Sequence, residues 1–124
     1  VCGFCRSKHG EYPEYHTSAD DMSLISPEGL YGSYQVMTKV INALENNYKY
    51  LLTCKCEPQL GKRGLYPTTS QKGHYDNVRA IKNFVAYADG SNDLLEISRI
   101  IKEPVDVLIE VANKLYQNQL IRKA

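Results

Sequence analysis

The chain has 124 residues, 43% of them apolar, which suits one ordinary globular domain or two small pieces of a larger one. Lysine plus arginine total 15 against 14 aspartate plus glutamate, so the net charge of +1 gives no electrostatic argument for nucleic acid, anionic lipid or a strongly charged substrate. No run approaches the roughly 18 apolar residues of a membrane span, and the amino end lacks the basic-then-apolar order of a secretory signal, so the expectation is a soluble, cytoplasmic protein with no membrane partner.

The chain opens at Val1 on "VCGFCRSKHG" with no capped element before it, which reads as the tail of a longer polypeptide. Gly3, Gly10, Pro13 and many polar residues predict a short extended piece and then an ordered loop over residues 1–25. Within it stands "GEYPEYHTSADD", Gly10 to Asp21. Pro, Thr, Ser and Asp bond their own backbone in turns, so a surface turn is one reading of this stretch. The other is a metal site, because neutral imidazole is the commonest ligand and a nearby carboxylate fixes its tautomer.

Ser26 as N-cap and Pro27 in the first turn predict a helix, and Leu30, Tyr34, Met37, Val40, Ile41, Leu44 and Tyr48 give it one apolar stripe over about six turns. Such a stripe is expected to pack on something larger. From Tyr50 to Gly73 the chain begins like a strand and continues as a linker or an extended arm, with Lys62, Arg63 and Lys72 as solvated cations.

Three helical patterns follow. Val78, Ile81, Val85 and Ala88 mark the first, with Gly90 as its closing glycine. Asp93 with Glu96 is an aspartate version of the capping box, and Leu94, Ile97, Ile100 and Ile101 form the buried face of the second. A break at Lys102 and Glu103 precedes the third, which starts at Pro104 and presents Val105, Leu108, Ile109, Ala112, Leu115 and Tyr116. This is the layout of a helix-turn-helix unit. The helix that would enter a DNA groove carries Asp106 and Glu110 against Lys114, which argues against phosphate contact and for a structural or protein-docking module. Asn113, Asn118, Arg122, Lys123 and a wing beyond Ala124 are what a DNA-binding regulator would draw on.

Four cysteines make a C-x-x-C pair, Cys2 and Cys5, and a C-x-C pair, Cys54 and Cys56, 48 residues apart. They admit a four-thiolate zinc adaptor, although the usual gap is shorter and the usual second pair is also C-x-x-C; reduced, partly buried thiols are the plainer reading.

The stretch "GEYPEYHTSADDMSLISPEGL" resembles the carboxyl-terminal metal-binding segment of zinc-dependent aminopeptidases, whose closing motif is a histidine followed by Thr, two variable residues and Asp. "CEPQLGKRGLYPT", Cys56 to Thr68, is similar to a stretch in a bacterial branch of those proteins that is associated with polysaccharide-biosynthesis genes, and Tyr75 to Ile121 resembles the small winged helix-turn-helix that ends that branch. The resemblance implies an α/β fold: residues 1–58 would be the carboxyl-terminal strand, loop and helix of a mixed-sheet, zinc-peptidase-like domain, 59–74 an extended linker, and 75–124 a small, mostly α, winged-helix-like module.

It further implies one or two zinc ions, with His16 as a ligand and Asp20 supporting the loop or the imidazole; Tyr15 and Glu14 are candidates for the substrate side, against packing for the tyrosine and a solvated or backbone-bonded carboxylate for the glutamate. The chemistry would be metal-assisted hydrolysis of a peptide or other amide, with a glutamate taking the proton. The family's other ligands and that glutamate belong upstream of this segment, and His9 and His74 stand in no ligand spacing, so this chain alone is expected to be inactive and to hold few of the zinc ligands. Self-association is expected, if at all, through the terminal module.

Overall fold

The computed structural model describes residues 3–66 and 75–124, of which residues 75–77 are described by their backbone alone. Cys2, Lys72 and His74 lie outside the described residues. The chain divides into two compact units, Val1–Ile41 and Asn42–Ala124.

In the first unit, residues 6–21 are mostly bends and turns, as expected of an ordered loop, and residues 3–5 before them form no strand. Four backbone bonds of i to i+3 type step through it: Glu11 N–H to Lys8, Tyr15 to Tyr12, Thr17 to Glu14 and Asp20 to Thr17. A single 3-10 turn, Met22–Leu24, follows, with the Asp21 carboxylate accepting from Ser23 N–H at 2.8 Å. Helix α1 then runs Pro27–Glu45. Its start is the expected one, because Gly29 N–H donates to Ser26 Oγ at 3.0 Å and satisfies one of the free donors of the first turn. No residue of α1 is buried, and Leu30 (63% exposed), Tyr34 (66%) and Leu44 (63%) leave its apolar stripe open.

The helix stops one turn short of Tyr48. Asn46 caps it, its Nδ2 donating to the Asn42 carbonyl at 2.8 Å, and the chain turns into strand β1, Lys49–Leu52. Tyr48 instead lies beneath the Lys123 ammonium, 3.5 Å from the ring centroid.

The second unit is built on a three-stranded antiparallel sheet in the order β2-β1-β3, with β2 at Asp89–Asp93 and β3 at Ile121–Lys123. Tyr50 faces Lys123, Leu51 faces Arg122 and Leu52 faces Ile121, while the β1–β2 register slips between Lys49 and Leu51. Helix α2 (Tyr75–Tyr87) precedes β2, and α3 (Leu94–Ile101) and α4 (Val105–Gln117) lie between β2 and β3. Phe84, Leu94, Ile97, Leu108, Leu115 and Leu120 are fully buried and form the centre of one core to which α2, α3 and α4 all contribute. The residues after β1 join it too. Leu60 is buried, and the 3-10 turn Gly61–Arg63 closes on left-handed Gly64, so this stretch is a strap against the core.

Local chemistry accounts for the helix ends. Asp93 caps α3 by accepting from Glu96 N–H at 2.9 Å, but the reciprocal half of the capping box is absent because the Glu96 carboxylate pairs with Arg99 at 2.6 Å. Lys102, at φ 57°, turns the chain between α3 and α4, and Ser98 Oγ donates to the Glu103 carbonyl at 2.6 Å across the break. Gly90 does adopt a left-handed conformation (φ 85°), yet it sits inside β2 and does not cap α2, which already ends at Tyr87.

Candidate functional site

The histidine loop owes its shape to its own side chains. Thr17 Oγ1 donates to the Glu14 carbonyl at 2.7 Å and accepts from Ala19 N–H at 3.2 Å, which closes a turn around His16. His16 itself adopts φ 60°, a left-handed conformation that costs a non-glycine residue energy and that the flanking bonds hold in place. Its imidazole is exposed and makes no hydrogen bond among the described residues. Both ring nitrogens are therefore open to an incoming ligand.

Aromatic rings back the loop on one side. The Tyr15 ring lies 4.1 Å from the His16 ring at 36°, Tyr12 meets Tyr15 edge-on at 5.4 Å, and His9 lies 5.7 Å from Tyr15. Asp20 makes no hydrogen bond to His16. The Tyr12 phenol is pushed up, first by burial and then by the nearby Asp20 carboxylate. Glu14 contributes its backbone carbonyl to the loop.

Beside this cluster lies a depression of about 470 Å³ whose wall includes Arg6, His9, Tyr12, Ser26 and Leu30. Arg6 reaches it by crossing α1, where its Nη1 donates to the Gly29 carbonyl at 2.9 Å. The close approach depends on Gly32, since a Cβ there would stand 2.8 Å from Nη1. A 23-residue separation gives the sequence no local signal for this contact. Among the described residues no three His, Cys, Asp or Glu side chains converge to hold a metal ion. His16 therefore stands in the loop with no converging partner donor among the described residues, and a metal held there would need its other ligands from elsewhere.

The described cysteines, Cys5, Cys54 and Cys56, are free. Cys5 Sγ lies 3.6 Å from His9 Nε2, and the half-buried Cys54 thiol donates to the Cys56 carbonyl at 3.1 Å. Cys5 and Cys56 are exposed, where the sequence suggests partly buried thiols. On α4 the solvent side carries Asp106, Glu110, Asn113, Lys114 and Gln117, with Lys114 3.9 Å from Glu110. No helix among the described residues is long and apolar enough to cross a membrane.

Comparison with known proteins agrees with this anatomy. Residues 1–47 match a domain family of unknown function. Over 120 residues the chain is 40% identical to a protein of Clostridium acetobutylicum provisionally named as a polysaccharide biosynthesis protein with an aminopeptidase-like domain, covering 90% of this chain and 27% of that one. A crystal structure of a C. acetobutylicum protein provisionally named a peptidase matches with a TM-score of 0.75 at 34% identity, over 91% of this chain and 24% of that one. The chain therefore spans about a quarter of the length of each. Residues 48–123, more than half of the chain, match the winged helix-turn-helix family, and to that family the protein belongs.

Proposed function

We propose that this chain is the carboxyl-terminal portion of a cytoplasmic, zinc-dependent, aminopeptidase-like hydrolase, inactive by itself and completed by residues it does not contain. The observation that carries the reading is the His16 loop. The motif "HTSAD" is folded into a turn that presents an unbonded imidazole, in a chain 40% identical to a protein named for an aminopeptidase-like domain. His16 would supply one ligand. When bound, zinc would contribute Lewis acidity toward a scissile amide carbonyl and toward water.

The chain's own residues would do the rest of the local work. The Thr17 bonds would hold the turn that aims the imidazole, and the Tyr15 ring tilted against it would restrict its rotation. Tyr15 and Glu14 would stand on the substrate side. Asp20 would support the loop. The exposed stripe of α1 would rest on the body of the aminopeptidase-like domain, which is the kind of cover a 19-residue helix with no buried residue requires.

The winged-helix fold favours a second reading, a DNA-binding regulator. The α4 face weighs against it, because Asp106 and Glu110 would meet phosphates with only Lys114 to offset them. We therefore assign the module a docking role, with self-association as one use of it.

The test is hydrolysis of an aminoacyl anilide. The isolated chain with added zinc is expected to be inert, whereas the complete polypeptide is expected to cleave and to stop on chelation. Chelator-sensitive cleavage by residues 1–124 alone would sink the proposal, and so would salt-dependent binding of the chain to mixed-sequence DNA with no hydrolysis by the complete polypeptide.

A further inference from the structure

We infer that the depression beside the histidine loop is a binding site for a small molecule bearing an oxyanion, a carboxylate or a phosphate, with Arg6 as its anchor. Zinc plays no part in it, and His16 is not among the residues that line the depression.

The charge of the wall comes first. No Asp or Glu lines the depression, while Arg6 and His9 do. Lys8, the next cation along the chain, is neutralised by Glu11 at 2.8 Å, but Arg6 has no carboxylate within ion-pair distance among the described residues. Its bond to the Gly29 carbonyl uses Nη1 and leaves the rest of the guanidinium free. An arginine in this state presents a planar fork of donors suited to a carboxylate or phosphate.

Position comes second. An exposed arginine ordinarily samples many rotamers, and ordering it costs free energy that a ligand must offset. Here Gly32 leaves a seat on α1 for the guanidinium, and the Gly29 carbonyl holds it there before any ligand arrives. Hydroxyls surround it. Ser26 Oγ accepts from Gly29 N–H and so keeps its own hydrogen to give, and Ser7 and Tyr12 add two more donors. Leu24 and Ile25 supply apolar contact for the body of the molecule. The volume of about 470 Å³ falls within the range of ordinary small-molecule sites. A ligand seated there would lie against His9 and Tyr12, with Tyr15 between it and His16.

The experiment is a two-dimensional amide NMR titration of the 124-residue chain with inorganic phosphate, N-acetylglycine and, at matched ionic strength, sodium chloride. Saturable shifts confined to residues around Arg6, Ser26 and Ser33, caused by phosphate or N-acetylglycine but not by chloride, are expected; the stronger of the two identifies the oxyanion. Arg6→Met is expected to weaken binding about tenfold, the worth of one charge-assisted hydrogen bond. Gly32→Ala keeps the charge and displaces it, so it is expected to weaken binding as well, and it serves if Arg6→Met fails to fold. Lys39→Met removes the same charge from the first unit without touching the wall and is expected to bind as the parent does. The inference is overturned by linear, non-saturating shifts with both oxyanions, or by equal weakening in Lys39→Met and Arg6→Met. Loss of hydrolysis by the complete polypeptide would bear on the zinc reading and leave this titration unchanged.

Discussion

Phe84 is the side chain on which the winged-helix unit most depends. It is fully buried on α2, with its ring 5.8 Å from that of Tyr50 on β1, so it ties the helix to the central strand. Truncation to alanine removes an aromatic burial of about 150–250 Å² and leaves a cavity, and phenylalanine-to-alanine changes in cores cost about 3–5 kcal/mol. A unit running from Asn42 to Ala124 is expected to have a total stability of only about 4–12 kcal/mol. Phe84→Ala should therefore remove a quarter or more of it and lower the melting temperature by more than about 10 °C. Ile97→Val, also in the fully buried set, trims one methyl and should cost about 0.5–1.5 kcal/mol. Tyr116→Ala, at an exposed position of α4, should stay within about 0.5 kcal/mol. Urea unfolding followed by far-ultraviolet circular dichroism reads all three. A Phe84→Ala midpoint within experimental error of that of Tyr116→Ala would refute the assignment of the core.

Three smaller predictions follow from the helix ends and the surface carboxylates. Asp93→Ala should lower the stability of the same unit by about 1 kcal/mol in urea, because Glu96 N–H loses its acceptor. Lys102→Gly should be neutral or stabilising by up to about 1 kcal/mol in thermal melts, since φ 57° strains a side-chain-bearing residue and not glycine. Asp89 is held below the ordinary carboxylate range by the Ser91 hydroxyl and then the Ser91 N–H, and Glu96 by its bond to Arg99. Depressed folded-state values mean that both contribute stability above the unfolded-state range near about pH 4 and lose it as pH falls through the folded-state values. Carboxyl carbon NMR titration should place Asp89 lower in the parent than in Ser91→Ala, and no difference would remove the cause given.

The three helices of the winged unit are legible in the sequence because their apolar residues recur at helical spacing and because Asp93 and the Lys102–Glu103 break punctuate them. Strands β2 and β3 are not. "DGSND" holds no β-branched or aromatic residue and becomes a strand only by pairing with β1, a contact between residues some 40 apart in sequence, from Lys49 to Asp93. The same non-local pairing explains why Gly90 reads as a helix cap: its left-handed tendency is plain, but which element uses it is decided by the sheet. Tyr48 continues the spacing of α1, yet Asn46 ends the helix and the cation of Lys123 claims the ring.

The site is legible to a different degree. Turn chemistry is visible in "HTSAD", because threonine bonding back to Glu14 is a local event. The value of His16 as a ligand comes from family resemblance alone, since no converging partners stand near it among the described residues. The seating of Arg6 on Gly29 and Gly32 leaves no trace in the local sequence, because it needs α1 to fold first and then depends on the absence of one methyl group.

The most direct test of the account is the zinc stoichiometry of the complete polypeptide, measured by inductively coupled plasma mass spectrometry in the parent, His16→Ala and Cys54→Ser/Cys56→Ser. Zinc is expected to be lost from His16→Ala and retained in the double cysteine variant. Zinc retained at parental stoichiometry in His16→Ala and lost from the cysteine variant would contradict it and make the cysteines the metal site.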